Sequence, residues 1–272
     1  MNILRKTLPA ALLSSLLIPT LGSAHMRWLV PSNTVLSEPG AVTFDASISN
    51  NVFFPERAFP IDGVTVIDPE GNRVEVSNTL KGMRRSVFDI EAEKEGTYRV
   101  AIGASFYFIR YKNKNGERGG WRGDEAGLNA ALKEAKDNAD GDIQVTESHS
   151  RLETFVTVGQ PSVETLKPLG RGLELKASTH PNDLYAGETA HFTFLLNGEP
   201  ANGLTVSVIA GGTRYRNNTS ARTFTTDKTG NVAIDWQQAG MYLLEVEAEG
   251  KSNTKGVKRR DSYIVTLEVL PE

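Results

Sequence analysis

The chain has no cysteine anywhere in its 272 residues. Neither a disulfide nor a lipid-bearing thiol can hold it, so its stability must come from burial. Long apolar runs are equally scarce. The one candidate, Leu8 to Ile18, is interrupted by Pro9, Ser14 and Ser15 and falls short of the ~20 residues a membrane-spanning helix needs. Charge of one sign is lacking too: 30 Lys and Arg stand against 33 Asp and Glu, a formal −3, which gives no general drive toward nucleic acid or anionic lipid. Hydrolase signatures are also missing, since the sequence contains no His-Glu-x-x-His, no Gly-x-Ser-x-Gly and no cysteine nucleophile. No catalytic residue is therefore named from motifs.

What is present begins with a leader. Arg5 and Lys6 precede the apolar run, and Leu21-Gly22-Ser23-Ala24 follows it with small residues where processing requires them. Residues 1–24 read as a secretory signal peptide cleaved after Ala24. That predicts a periplasmic protein without membrane insertion, starting at His25. Losing Arg5 and Lys6 takes its formal charge from −3 to −5.

Short strand-like runs separated by turn residues fill the rest. Val64-Thr65-Val66-Ile67, then Asp68-Pro69-Glu70-Gly71-Asn72, then Val74-Glu75-Val76 read as a hairpin. Further strands are expected at Val42–Ile48, Ser86–Ile90, Tyr98–Ile102, Phe106–Tyr111 and Leu152–Val158. One helix is expected after Asp124, an N-cap residue, with Leu128, Ala131, Leu132 and Ala135 at helical spacing. Periodicity lapses over 160–172, and seven more strand-like runs follow between Leu173 and Val269. The expected class is mainly β: two consecutive immunoglobulin-like β-sandwiches, 25–159 with one inserted short helix and 173–272, joined by a linker at 160–172.

The mature N-terminus carries the most specific chemistry. A histidine there offers its α-amine and ring Nδ1 to one metal, and both nitrogens deprotonate near neutrality. A third nitrogen would complete a histidine brace, a set that suits Cu(II) and then Ni(II). The other histidines are His149, His180 and His191. His149 is placed just before a first-domain strand and is the preferred third ligand, with Glu147 or Glu153 available to orient its ring. His180, in a loop opening the second domain, is the second choice, and His191 is an exposed sheet position.

A second region, Arg110 to Gly123, carries five basic residues beside Tyr111 and Trp121. Arg110, Tyr111, Arg118, Trp121 and Arg122 form a candidate partner-binding loop, because cations and aromatics together grip anionic or aromatic groups. A solvated hairpin with its Trp folded onto the sheet accounts for the same residues.

The segment Ala24-His25-Met26-Arg27-Trp28-Leu29-Val30-Pro31-Ser32 resembles the start of a periplasmic family of unknown function. Its members are often labelled nickel-uptake or nickel-transporter substrate-specific proteins. Gly82-Met83, Tyr98-Arg99-Val100, Val158-Gly159, Leu196-Asn197-Gly198-Glu199-Pro200 and Gly240-Met241-Tyr242-Leu243 continue the resemblance. It implies an exported β-protein of transition-metal acquisition, with a transporter or outer-membrane receptor component as partner. The leading expectation is a periplasmic Cu- or Ni-type metal-binding accessory protein. A metal-independent adaptor for an envelope partner is the alternative, and a copper oxidative enzyme built on the brace is the third.

Overall fold

The computed structural model describes residues 26–217 and 219–272. The leader and His25 lie outside the described residues. The first half contributes β1 (Met26–Pro31), β2 (Val35–Leu36), β3 (Gly40–Ser49), β4 (Arg57–Ala58), β5 (Val64–Ile67), β6 (Arg73–Val74), β7 (Ser77–Lys81), β8 (Ser86–Ala92), β9 (Gly96–Lys112), β10 (Arg118–Gly123), α1 (Glu125–Asn138) and β11 (Gln144–Val158). The second contributes β12 (Leu173–Ala177), β13 (Thr189–Leu196), β14 (Glu199–Pro200), β15 (Thr205–Ala210), β16 (Arg222–Thr225), β17 (Asn231–Asp235), β18 (Gly240–Lys251) and β19 (Val257–Val269).

The protein is mainly β, and each half is an immunoglobulin-like sandwich. In the first, β1-β3-β8-β7 packs on β11-β9-β5-β6; in the second, β12-β13-β17 packs on β16-β15-β18-β19. Each half carries the same corner. Tyr98, two residues after Gly96, accepts a hydrogen bond from Lys94 N at 2.8 Å, and Tyr242, two residues after Gly240, donates to Gln238 O at 2.7 Å. Both glycines have positive φ, 118° and 140°, a backbone state that costs a side-chain-bearing residue steric strain. Such tyrosine corners pin the turn into the penultimate strand of immunoglobulin-like sandwiches.

The two halves share a sheet. β11, the last strand of the first sandwich, pairs in parallel with β19, the last of the second, over Val145↔Val257 to Glu153↔Val265. Side chains alternate across this sheet, so consecutive residues enter different cores. Leu152 and Val156 join Trp28, Phe44 and Phe88, which also receive Leu243 and Ile264 from the second half. Phe155 joins Phe192, Phe194, Trp236 and Tyr263. Between 160 and 172, a short 3-10 turn at Glu164–Leu166 buries Thr165, whose Oγ1 donates to Thr97 O at 2.8 Å.

Two expectations change. Tyr98–Ile102 and Phe106–Tyr111 belong to one 17-residue strand, β9, because Gly103 and Ala104 continue the extended ladder rather than turning. β11 starts eight residues earlier than the apolar run at Leu152, since the β9 ladder carries polar residues 144–151 with it. His149 therefore sits inside a strand, not before one. The helix starts as expected: Asp124 Oδ1 accepts from Gly127 N at 3.1 Å, and Leu128, Ala131 and Ala135 are buried.

Candidate functional site

On the N-terminal side of Leu152 the long strands β9, β11, β18 and β19 run on past both cores. Alternation gives this extension two unlike faces. Phe106, Phe108 and Arg110 of β9 lie opposite Ser148, Thr146 and Gln144 of β11. Next to these stand Lys258, Arg260 and Ser262 of β19, then Glu247 and Glu249 of β18. This face floors a cleft of about 1450 Å³, walled by Arg27 of β1 and by Arg57 to Gly63.

The cleft is built from paired charges and aromatic rings. The Arg122 guanidinium lies 3.9 Å from the Phe106 ring centre and 5.6 Å from that of Phe108. Arg27 reaches Ser262 Oγ at 3.4 Å, and Arg260 pairs with Glu247. Burial raises the Glu245 pKa, and the neighbouring Glu247 charge adds to it. Burial likewise lowers the Arg27 pKa, against the pull of Glu245 and Glu247. Desolvated charges of both signs thus border an open cleft, an environment that favours a bound polar partner.

The 110–123 region is the β9–β10 hairpin, and its residues divide by face. Tyr111 and Trp121 pack with Leu132, Ile109 and Val145 on the helix side. Gly123 and Gly127 make room for Trp121, since a Cβ at either would fall 2.2 or 2.7 Å from its ring. Arg110 and Arg122 face the cleft, while Arg118 and Arg110 also line a shallower depression of about 890 Å³ at the hairpin. The five residues read as one loop site therefore serve two surfaces.

Among the described residues, His149, His180 and His191 are not brought together. His149 points to the helix side, opposite the cleft that Arg27 enters. Its Nδ1 meets Ser105 Oγ at 3.0 Å and its Nε2 meets Glu147 Oε1 at 2.6 Å. Ser252 Oγ donates to the other Glu147 oxygen at 2.5 Å. Burial alone would raise the Glu147 pKa, but the hydrogen bonds from Ser252 and His149 outweigh it, and the net direction is down. Glu153 instead faces Arg99 Nε at 3.3 Å and accepts from the Tyr263 hydroxyl in the interior.

His180 belongs to the other end of β11, beside Thr157, about 26 Å along the strand from His149 at ~3.3 Å per residue. Its Nδ1 accepts from Asn182 N at 3.1 Å, and its Nε2 lies 3.0 Å from Thr97 Oγ1 and 3.2 Å from Ser162 O. Burial lowers its pKa, with Ser162 and Asp183 opposing. A neutral ring that donates Nε2–H and accepts at Nδ1 satisfies all three neighbours. His191 is exposed on β13. Among the described residues no group of three or more His, Asp or Glu side chains is arranged to hold a metal ion, and no helix is long and apolar enough to cross a membrane.

The sequence did not single out Ser105, Phe106 or Arg27. Phe106 and Phe108 did carry a signal, since they alternate with Tyr107 and Ile109 and so had to face the side away from the helix.

Residues 22–250 match the family described as a domain of unknown function, DUF4198, and the chain belongs to that family. The description names no metal. No curated protein matches the chain. Among solved structures, the chain is similar to the D00-D0 domain of intimin at 10% identity, covering 90% of this chain and 100% of that one with a TM-score of 0.21. It is also similar to the two tandem V-type regions of VCBP3, a v-region-containing chitin binding protein, at 9% identity, covering 88% and 99% with a TM-score of 0.20.

Proposed function

We propose that this DUF4198 member is an exported binding protein that seats an acidic segment of an envelope partner in the cleft lined by both sandwiches. The observation that carries this reading is the placement of Arg122 on Phe106 and Phe108, with Arg27 and Arg110 beside them, on the floor of an open cleft. Stacked guanidinium groups keep their donors free for carboxylates while their planes stay packed. A photo-crosslinking residue at Phe108, in the cell that exports the protein, should form an adduct that Arg122→Ala and Arg27→Ala weaken. Equal adduct formation from the exposed His191 position would overturn the reading.

A second reading keeps the transition metal. A Cu(II) or Ni(II) ion would be chelated by the α-amine and ring Nδ1 of His25. A transporter or outer-membrane receptor component would then be the partner. Cu(II) paramagnetic resonance on protein that begins at His25 should change in His25→Ala, and identical spectra would sink the chelate.

A further inference from the structure

The helix side of the extension holds an arrangement that neither reading uses. We infer that Ser105, His149 and Glu147 form a nucleophile, base and orienting carboxylate able to transfer an acyl group from a reactive ester. Ser105 and His149 are directly opposed on β9 and β11, and Glu147 is two residues from His149 on the same face. The hydrogen bonds run in series: Ser105 Oγ to His149 Nδ1 at 3.0 Å, and His149 Nε2 to Glu147 Oε1 at 2.6 Å.

The tautomer follows from the partners. The Glu147 carboxylate accepts from Ser252 Oγ on one oxygen and meets His149 Nε2 with the other, and a carboxylate acceptor there takes Nε2–H. Nδ1 is left with its lone pair toward the serine hydroxyl. That is the division of labour that nucleophilic serine chemistry requires, with the two ring nitrogens in exchanged roles.

The backbone supplies a second, independent element. Asn113 N bonds Glu117 O, so odd-numbered residues of β9 direct their N–H and C=O groups away from β11. The Asp68 N to Asn72 O bond sets the same parity from the β5 side: even residues of β5 face β6 and odd ones face β9. β5 pairs with β9 only up to Ile102, and β10 only from Tyr107. Ser105 lies in the interval between them, exposed at the cleft margin. Its backbone N–H therefore points into a gap in the sheet edge, as a donor for an oxyanion formed at its own hydroxyl.

The step balances without any co-reactant but water. Ser105 Oγ bonds to the ester carbonyl carbon while its proton moves to His149 Nδ1, and the carbonyl π pair goes to oxygen, where the Ser105 N–H holds it. When that pair returns, the carbon–alkoxy bond breaks and the leaving oxygen takes the Nδ1 proton, leaving acyl-Ser105. Water then adds to the acyl carbon as Nδ1 takes its proton, and the serine departs with that proton. A single backbone donor suits esters with good leaving groups, such as aryl esters of short acids.

The exported protein should hydrolyse p-nitrophenyl acetate with a burst, and should be labelled at Ser105 by a fluorophosphonate. Ser105→Ala should abolish the label, and His149→Ala and Glu147→Gln should slow labelling, the former by roughly 10²-fold or more. A surface imidazole acting alone also cleaves this ester, but it gives no fluorophosphonate adduct on serine and survives Ser105→Ala. No adduct at Ser105, or turnover unchanged in Ser105→Ala, overturns the inference. Because Ser105 is exposed, its alanine variant should fold, and unchanged circular dichroism establishes that.

Discussion

The two ends of β11 experience different surroundings. From Leu152 to Val158 every residue is buried, because a sandwich closes over each face of the sheet. From Gln144 to Arg151 only Val145 is buried, and the strand carries Glu147, Ser148, His149 and Ser150 between a cleft and a helix-covered face. One continuous ladder thus serves first as scaffold and then as platform. The same backbone ladder continues into the open end, where the side chains have solvent access.

The largest test of that difference compares two carboxylates six residues apart. Glu153 has a side chain 2% exposed and Glu147 one 15% exposed. Glu153→Ala strands Arg99 and the Tyr263 hydroxyl in the interior and should cost about 3–5 kcal/mol in denaturant titration. Glu147→Ala should cost under about 1 kcal/mol. Equal losses would mean that the platform is as closed as the scaffold.

The tyrosine corners ask whether both sandwiches brace the closed end alike. Tyr98→Phe and Tyr242→Phe each remove one hydrogen bond and should each cost about 1 kcal/mol, read from the thermal midpoint. A corner that can be deleted without effect would assign the bracing to the other half. Arg122→Ala, on the platform, should change stability by about 0.5–1 kcal/mol through its lost ring contacts. Its main effect should be on crosslinking at Phe108.

The smallest expected effect is in pH. Glu147 has a folded pKa below its ordinary value of 4.5, so its ionised form is favoured by folding. The stability it adds is fully present above pH 4.5 and is lost as pH falls through its lower folded value. Glu147→Gln should therefore differ from the native protein at neutral pH and converge with it in acid. A constant difference across that range would remove Glu147 from the hydrogen-bonded chain.

Most strands were legible in the sequence because each announces itself locally. Asp68-Pro69-Glu70-Gly71-Asn72 and Asp227-Lys228-Thr229-Gly230-Asn231 even form the same turn: each Asp Oδ1 accepts from the backbone two and four residues on, and each glycine has positive φ. The β11–β19 pairing was not legible, since residues 145–153 and 257–265 are more than 100 apart and a parallel pair leaves no turn between them. His149 takes its face from its place opposite Ser105 in the β9 ladder. The sequence offered Glu147 or Glu153 to orient the His149 ring; the structure gives that contact to Glu147, two residues away on the same strand face, and sets Glu153 against Arg99. Ser105 escaped notice because its partner lies 44 residues away, with no spacing motif to link them.

The parallel seam also has a consequence for a cut chain. A protease that severs the backbone between 160 and 172 would divide the covalent chain but leave nine register pairs of β11 and β19 in place, with Leu152 and Ile264 still seated in one core. The fragments should elute together and separate only in denaturant. The covalent chain and the folded unit are thus divided at different places.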